Sequence, residues 1–175
     1  MRILLFFLTV FNFSFAQSDV FNIARKGTID EMMKIVQENK NLVNLPNNNG
    51  FSPLIIATYS NNLQVAKYLL NIVEDINYQS PEGTVLMAAI MRNNIEMVQL
   101  LFDKKVNIEL TNDNGVTPLM LALQFKNIEI IKLLLNHNAN KTAIDKEGKT
   151  TFEYAVATKE DTIIQLFKNF KKNHL

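Results

Sequence analysis

The sequence predicts an all-α solenoid of about five helix-turn-helix repeats joined by short β-turn or hairpin loops. Three observations carry this prediction. Glycines recur at Gly50, Gly83, Gly115 and Gly148, spaced by 33, 32 and 33 residues. Each is followed by the same pattern of a Ser or Thr, an apolar run, a break ending in Asn or its equivalent, and a second apolar run. The second runs place apolar residues three and four apart, as one buried helix face requires. A period shared by several segments marks stacked units, none of which buries its apolar face alone.

The first element stands outside the stack. In "MRILLFFLTVFNFSFAQ", Arg2 precedes an apolar run from Ile3 to Phe13. That run is too short to span a bilayer, which needs about 20 helical residues. Ser14-Phe15-Ala16 then places small residues at both key positions of a cleavage site. Residues 1–16 therefore read as a cleaved signal peptide and residues 17–175 as the repeat domain. Its repeats span about 17–46, 47–79, 80–111, 112–144 and 145–175. Cleavage removes one base of 18 and none of 17 acids, leaving 17 of each. That balance asks for no nucleic acid and no stable membrane insertion after cleavage. The absence of cysteine excludes disulfides, thiol catalysis and zinc–cysteine sites.

The repeats come in order along the chain. "SDVFNIARKGTIDEMMKIV" (18–36) opens the stack, with Ser18 as its first cap and Thr28 and Glu31 at capping-box spacing. "SPLIIATYSNNLQVAKYLL" (52–70), "TVLMAAIMRNNIEMVQLLF" (84–102), "TPLMLALQFKNIEIIKLLL" (117–135) and "TTFEYAVATKEDTIIQLFK" (150–168) repeat it. Ser52-Pro53 and Thr117-Pro118 pair an N-cap with a residue preset for the first helical turn. Ala57, Ala89, Ala122 and Ala155 all lie five residues past the cap, where a small side chain admits a second helix. Asn62, Asn94 and Asn127 are placed to cap those second helices. In them, Ile95, Val98 and Leu101, then Ile128, Ile131, Leu134 and Leu135, mark the inward faces. Asn138 suits a left-handed helix end, and "NDNG" (112–115) and "DKEG" (145–148) supply turn chemistry. The ends read as caps, the last through Lys159, Glu160, Asp161 and Thr162.

This arrangement resembles the ankyrin repeat family, most closely in "LLLNHNANKTAIDKEGKTTFEYA" (133–155). The resemblance covers residues 18 to about 170. There are departures. The signature His is absent from every copy, its place taken by Phe21, Ile55, Met87, Met120 and Glu153. This puts local hydrogen bonding, but not the fold, in question. The third copy lacks one residue between Gly83 and Thr84, and Val85 and Thr151 stand where Pro is usual.

The resemblance implies a non-catalytic protein–protein interaction module whose partner surface is concave, built from hairpin tips and first helices. By position the tips carry Asn48, Glu82, Asn114 and Glu147, and the helix ends carry Tyr59, Met91, Arg92, Gln124 and Phe125. Ile55, Met87 and Met120 either pack between repeats or reach a partner. Tyr59, Met91 and Phe125 recur at the last turn of successive first helices, which in a linear stack lines them up along one face.

No Gly-x-Ser-x-Gly elbow, phosphate-binding Gly-rich loop or His-Glu-x-x-His occurs. The two histidines, His137 and His174, cannot make a typical zinc site without Cys. His137 falls at a helix end, where a cation suits the dipole. The sequence thus points to an exported, periplasmic or secreted monomer without cofactor or metal that binds a partner protein. The alternative is an envelope-associated protective factor, or an accessory to an enzyme, with a small-molecule site.

Overall fold

From the second repeat on, each repeat begins with a hydroxyl that stops the chain from remaining extended. In the computed structural model, which describes residues 19–169, Ser52, Thr84, Thr117 and Thr150 hold β-region dihedrals and accept the backbone N–H three residues on. The helices opened by these caps are short and closely similar: α3 (Pro53–Tyr59), α5 (Val85–Met91), α7 (Pro118–Gln124) and α9 (Thr151–Ala157). Each is partnered by a second helix: α4 (Leu63–Leu70), α6 (Ile95–Asp103), α8 (Ile128–Asn136) and α10 (Asp161–Asn169). The first repeat supplies α1 (residues 19–26) and α2 (Ile29–Glu38), followed by a 3₁₀ turn at Lys40–Asn44. The expected signal peptide (residues 1–16), the expected cap Ser18 and the segment 170–175 with His174 lie outside the described residues.

The break between paired helices has one geometry. Asn61, Asn93, Lys126 and Lys159 take φ between 52° and 59°. The next amide reaches back five residues to the carbonyl of Ala57, Ala89 or Ala122 in the first three of these turns, at 2.9–3.1 Å. This is the closure that ends helices in the left-handed conformation. Lys105 and Asn138 repeat it at the ends of α6 and α8. The four alanines are 0% exposed, as close helix pairing requires.

The chain divides into two compact units, Met1–Ile76 and Asn77–Leu175. In the first, α2 packs on α4 and α3 on α4, over Met32, Val65 and Leu69. Thr28 and Glu31 form the expected capping box there, which holds the Glu31 carboxyl below its ordinary range, chiefly through the Thr28 amide. Asn62 departs from expectation. It stands at the cap of α4 but makes no capping bond. Its amide instead donates to the carbonyls of Gly27 (2.8 Å) and Ile23 (3.3 Å) at the end of α1, tying the first repeat to the second.

In the second unit, α5 packs on α7 and α7 on α9, each first helix also packing on its partner. Asn94 and Asn127 cap α6 and α8 as expected, accepting from Met97 and Ile130. The core is Leu86, Met87, Ile90, Leu101, Leu119, Met120, Leu123, Ile130, Ile131 and Leu134, each 1% exposed or less. The missing signature His has replacements. Glu153 accepts from the Thr150 amide at 2.7 Å, closing a capping box. The Met120 sulfur sits 3.4 Å from the Thr117 amide.

Candidate functional site

The hairpin tips are built by one side chain each. Asn47 accepts from the amides of Asn49 and Phe51. Asn112 accepts from those of Asn114 and Val116. Asp145 accepts from those of Glu147 and Lys149. A short side-chain acceptor that ties down amides two and four residues on fixes a turn without a strand. In the shortened third hairpin, Ser80 does this differently, its hydroxyl donating to the Gly83 carbonyl at 2.7 Å. Among the described residues the only bridges are isolated ones, Ser80 with Gly83 and Ile144 with Thr150.

Within the second unit the tips are stitched in series. The Asp113 amide donates to the Pro81 carbonyl at 2.9 Å, and the Lys146 amide to the Asn114 carbonyl at 3.0 Å. Glu82, Asn114 and Glu147 project from these tips and are exposed, as is Asn48 in the first unit. Asp145 is further held by the Tyr154 hydroxyl at 2.7 Å, the main reason its carboxyl lies below the usual range. Burial, and next that same carboxylate, push the Tyr154 hydroxyl up to about 12. Glu31, Asp145 and Glu153 all titrate low when folded. Their contribution to stability is therefore present at neutral pH and is lost as pH falls through those lowered values.

The expected contact residues of the first helices separate clearly. Ile55, Met87 and Met120 are at most 5% exposed and belong to the core. Tyr59 ends α3 at 48% exposure, and Phe125 comes directly after α7 at 50%. Arg92 and Gln124 are exposed and Met91 is half-buried. In the second unit the fold brings Met91 and Phe125 to one depression of about 310 Å³. Ile90, Asn93, Lys126, Asn127 and Ile128 complete its lining. Arg92 and Gln124 stand outside it.

Sequence periodicity missed part of this lining. It counts Ile128 among the buried residues of α8, yet the side chain is 40% exposed. As the first residue after the cap it precedes the turn in which the inward stripe begins. The polar wall is also internally bonded. The Asn127 amide donates to the Asn93 carboxamide oxygen, and Lys126 pairs with Glu160 at 3.2 Å, both about half exposed. Such an exposed pair contributes little stability, at most about 1 kcal/mol. His137 caps the end of α8, its ring stacked on Phe102 at 4.0 Å. Among the described residues no group of three His, Cys, Asp or Glu is placed to hold a metal. No helix among them is long and apolar enough to cross a membrane.

Comparison with known proteins agrees with the repeat architecture. Rat Ankyrin repeat and SAM domain-containing protein 6 is 33% identical over 101 residues, and its mouse counterpart 32%. The match covers 57% of this chain but spans only 11% of the length of those curated relatives. Family models match residues 86–174 as three tandem ankyrin repeats and residues 49–81 as a further one. Repeats of this kind indicate a protein–protein interaction module and are generally without catalytic activity. With those matches lying over capped helix pairs of one design, the chain belongs to the ankyrin repeat family.

Proposed function

We propose that this protein captures a partner protein outside the cytoplasm, without catalysing a reaction. The contact residues are Tyr59, Met91, Arg92, Gln124 and Phe125 at the first-helix ends, with Asn48, Glu82, Asn114 and Glu147 at the tips. The observation that carries the reading is Phe125. A half-exposed aromatic beside Met91 and an exposed Ile128, around a depression of about 310 Å³, is unused by the core. Interfaces concentrate their energy in such aromatic and Arg anchors, and methionine suits adaptable contacts.

The test is capture from the native host with the chain from Gln17 onward as bait. Replacing Tyr59, Arg92 and Phe125 together by Ala is expected to weaken capture by more than about 2 kcal/mol. The helical circular dichroism and unfolding midpoint stay near those of the parent. Gln99→Ala and Lys132→Ala, on exposed outer positions of α6 and α8, change neither. If the triple variant binds as the parent does, the contact lies elsewhere.

Export rests on the sequence of residues 1–17. Mass spectrometry of protein from its native host is expected to find Gln17 at the N-terminus. Recovery of intact Met1 to Ala16 sinks the extracytoplasmic assignment.

A further inference from the structure

We propose that Met91 is an oxidation site: a hydroperoxide turns its thioether into the sulfoxide, and this reversibly blocks partner capture at the depression beside Phe125. The inference rests on the reading of that depression as a docking surface. The chain has seven methionines, no cysteine and no tryptophan. Without thiols, a mild two-electron oxidant falls on thioethers, and their reactivity follows exposure. The methionines among the described residues divide sharply. Met32, Met87, Met97 and Met120 are at most 1% exposed. The Met87 sulfur lies against Gly83, and that of Met120 against the Thr117 amide. Met33, on α2 in the first unit, is 39% exposed and takes no part in the lining of the depression. Among the described residues Met91 alone combines access to solvent with a place in that lining.

In the reaction the O–O bond of the hydroperoxide breaks. One oxygen joins the Met91 sulfur and the other leaves in water or an alcohol, so the sulfur loses two electrons and the peroxide gains them. The product carries a strong acceptor oxygen where the depression presents Met91, Phe125 and Ile128. A partner's apolar side chain must then strip water from that oxygen, which costs free energy unless a new hydrogen bond replaces it. Capture also loses the adaptable apolar contact that a thioether gives. A bound partner covers Met91, so the reaction acts on the free chain. The fold does not depend on the thioether. Met91 is the last residue of α5, and that helix is closed by backbone atoms, the Arg92 amide to the Ala88 carbonyl and the Asn94 amide to the Ala89 carbonyl.

The test treats the full chain with dilute hydrogen peroxide and maps sulfoxides by peptide mass spectrometry. Met91 and Met33 are expected to react at least about tenfold faster than the four buried methionines, with the unfolding midpoint unchanged. Capture of the host protein retained by the untreated chain is expected to fall at least about tenfold, the effect of one uncompensated polar oxygen at an apolar contact. Methionine sulfoxide reductases of both stereospecificities restore it with dithiothreitol, the oxygen leaving as water and the dithiol becoming a disulfide. Met91→Leu and Met33→Leu are each compared with themselves before and after peroxide, so any change in starting affinity drops out. Capture by Met91→Leu is then insensitive to peroxide, and capture by Met33→Leu is as sensitive as the parent's. The proposal is overturned if Met91 reacts no faster than the buried methionines, if the oxidised parent captures as before, or if Met91→Leu loses capture as the parent does. If the untreated parent captures nothing, or Phe125→Ala captures as well as the parent, the docking reading has failed and the block on capture with it. The sulfoxide map then shows separately whether Met91 is the oxidised residue.

Discussion

Leu134→Ala is expected to lower the unfolding free energy by about 2–5 kcal/mol, the range for emptying a well-packed leucine site. Leu134 lies in α8 at 0% exposure, where α8 packs on both α6 and α7. Short helices of seven to nine residues are not stable alone, so their order depends on this tertiary packing. Their caps limit how far the site can collapse around a void: Asn127 holds the start of α8, and the Ala139 amide holds its end through the Leu134 carbonyl. Lys132→Ala, two residues away on the exposed face, stays within about 0.5 kcal/mol. Urea titration of both variants decides it, read from the midpoint at unchanged slope. A midpoint for Leu134→Ala equal to that of the parent would mean that the register of α8 is wrong.

Much of this fold was legible because each repeat states its own boundaries. The caps at Ser52, Thr84, Thr117 and Thr150 needed only a hydroxyl before an apolar run, and the same spacing located the four buried alanines. Asn62 shows where such reading stops. Like Asn94 and Asn127 it precedes a second helix, but an Asn side chain carries both a donor and an acceptor. Which one is used depends on carbonyls brought from α1, which no local pattern encodes. Glu153 was legible as a loss of the signature His, and only the structure shows it restoring the lost bond. At the candidate site, the positions of Tyr59 and Phe125 came from repeat alignment, and their exposure is found in the structure. The depression did not, because it depends on Ile128 lying just before the inward stripe.

Gly83→Ala is expected to destabilise the chain by about 2–5 kcal/mol, combining backbone strain with overpacking. Gly148→Ala is expected to cost only about 1–2 kcal/mol, the penalty for a left-handed residue with a Cβ. The two glycines end equivalent tips, and both have positive φ, 113° and 82°. They differ in their distance from the helix cap. Gly148 is separated from its cap by Lys149, whereas Gly83 directly precedes the cap Thr84. The missing residue draws the third tip onto its own helix. Gly83 bonds to Ser80 through both its amide and its carbonyl, and the Ser80 hydroxyl donates to that carbonyl as well. The backbone therefore has little room to relax. A Cβ on Gly83 would lie 2.0 Å from the Met87 sulfur, whereas on Gly148 it would meet nothing within 4 Å. Methionine is flexible, but Met87 is 1% exposed, so moving its sulfur displaces neighbouring core atoms. At 113°, φ also lies well beyond the left-handed well near +57° that non-glycine residues can visit. Denaturant midpoints of the two variants test the argument. Equal shifts would show that only the sign of φ matters, and that the shortened third hairpin is not pressed against its helix.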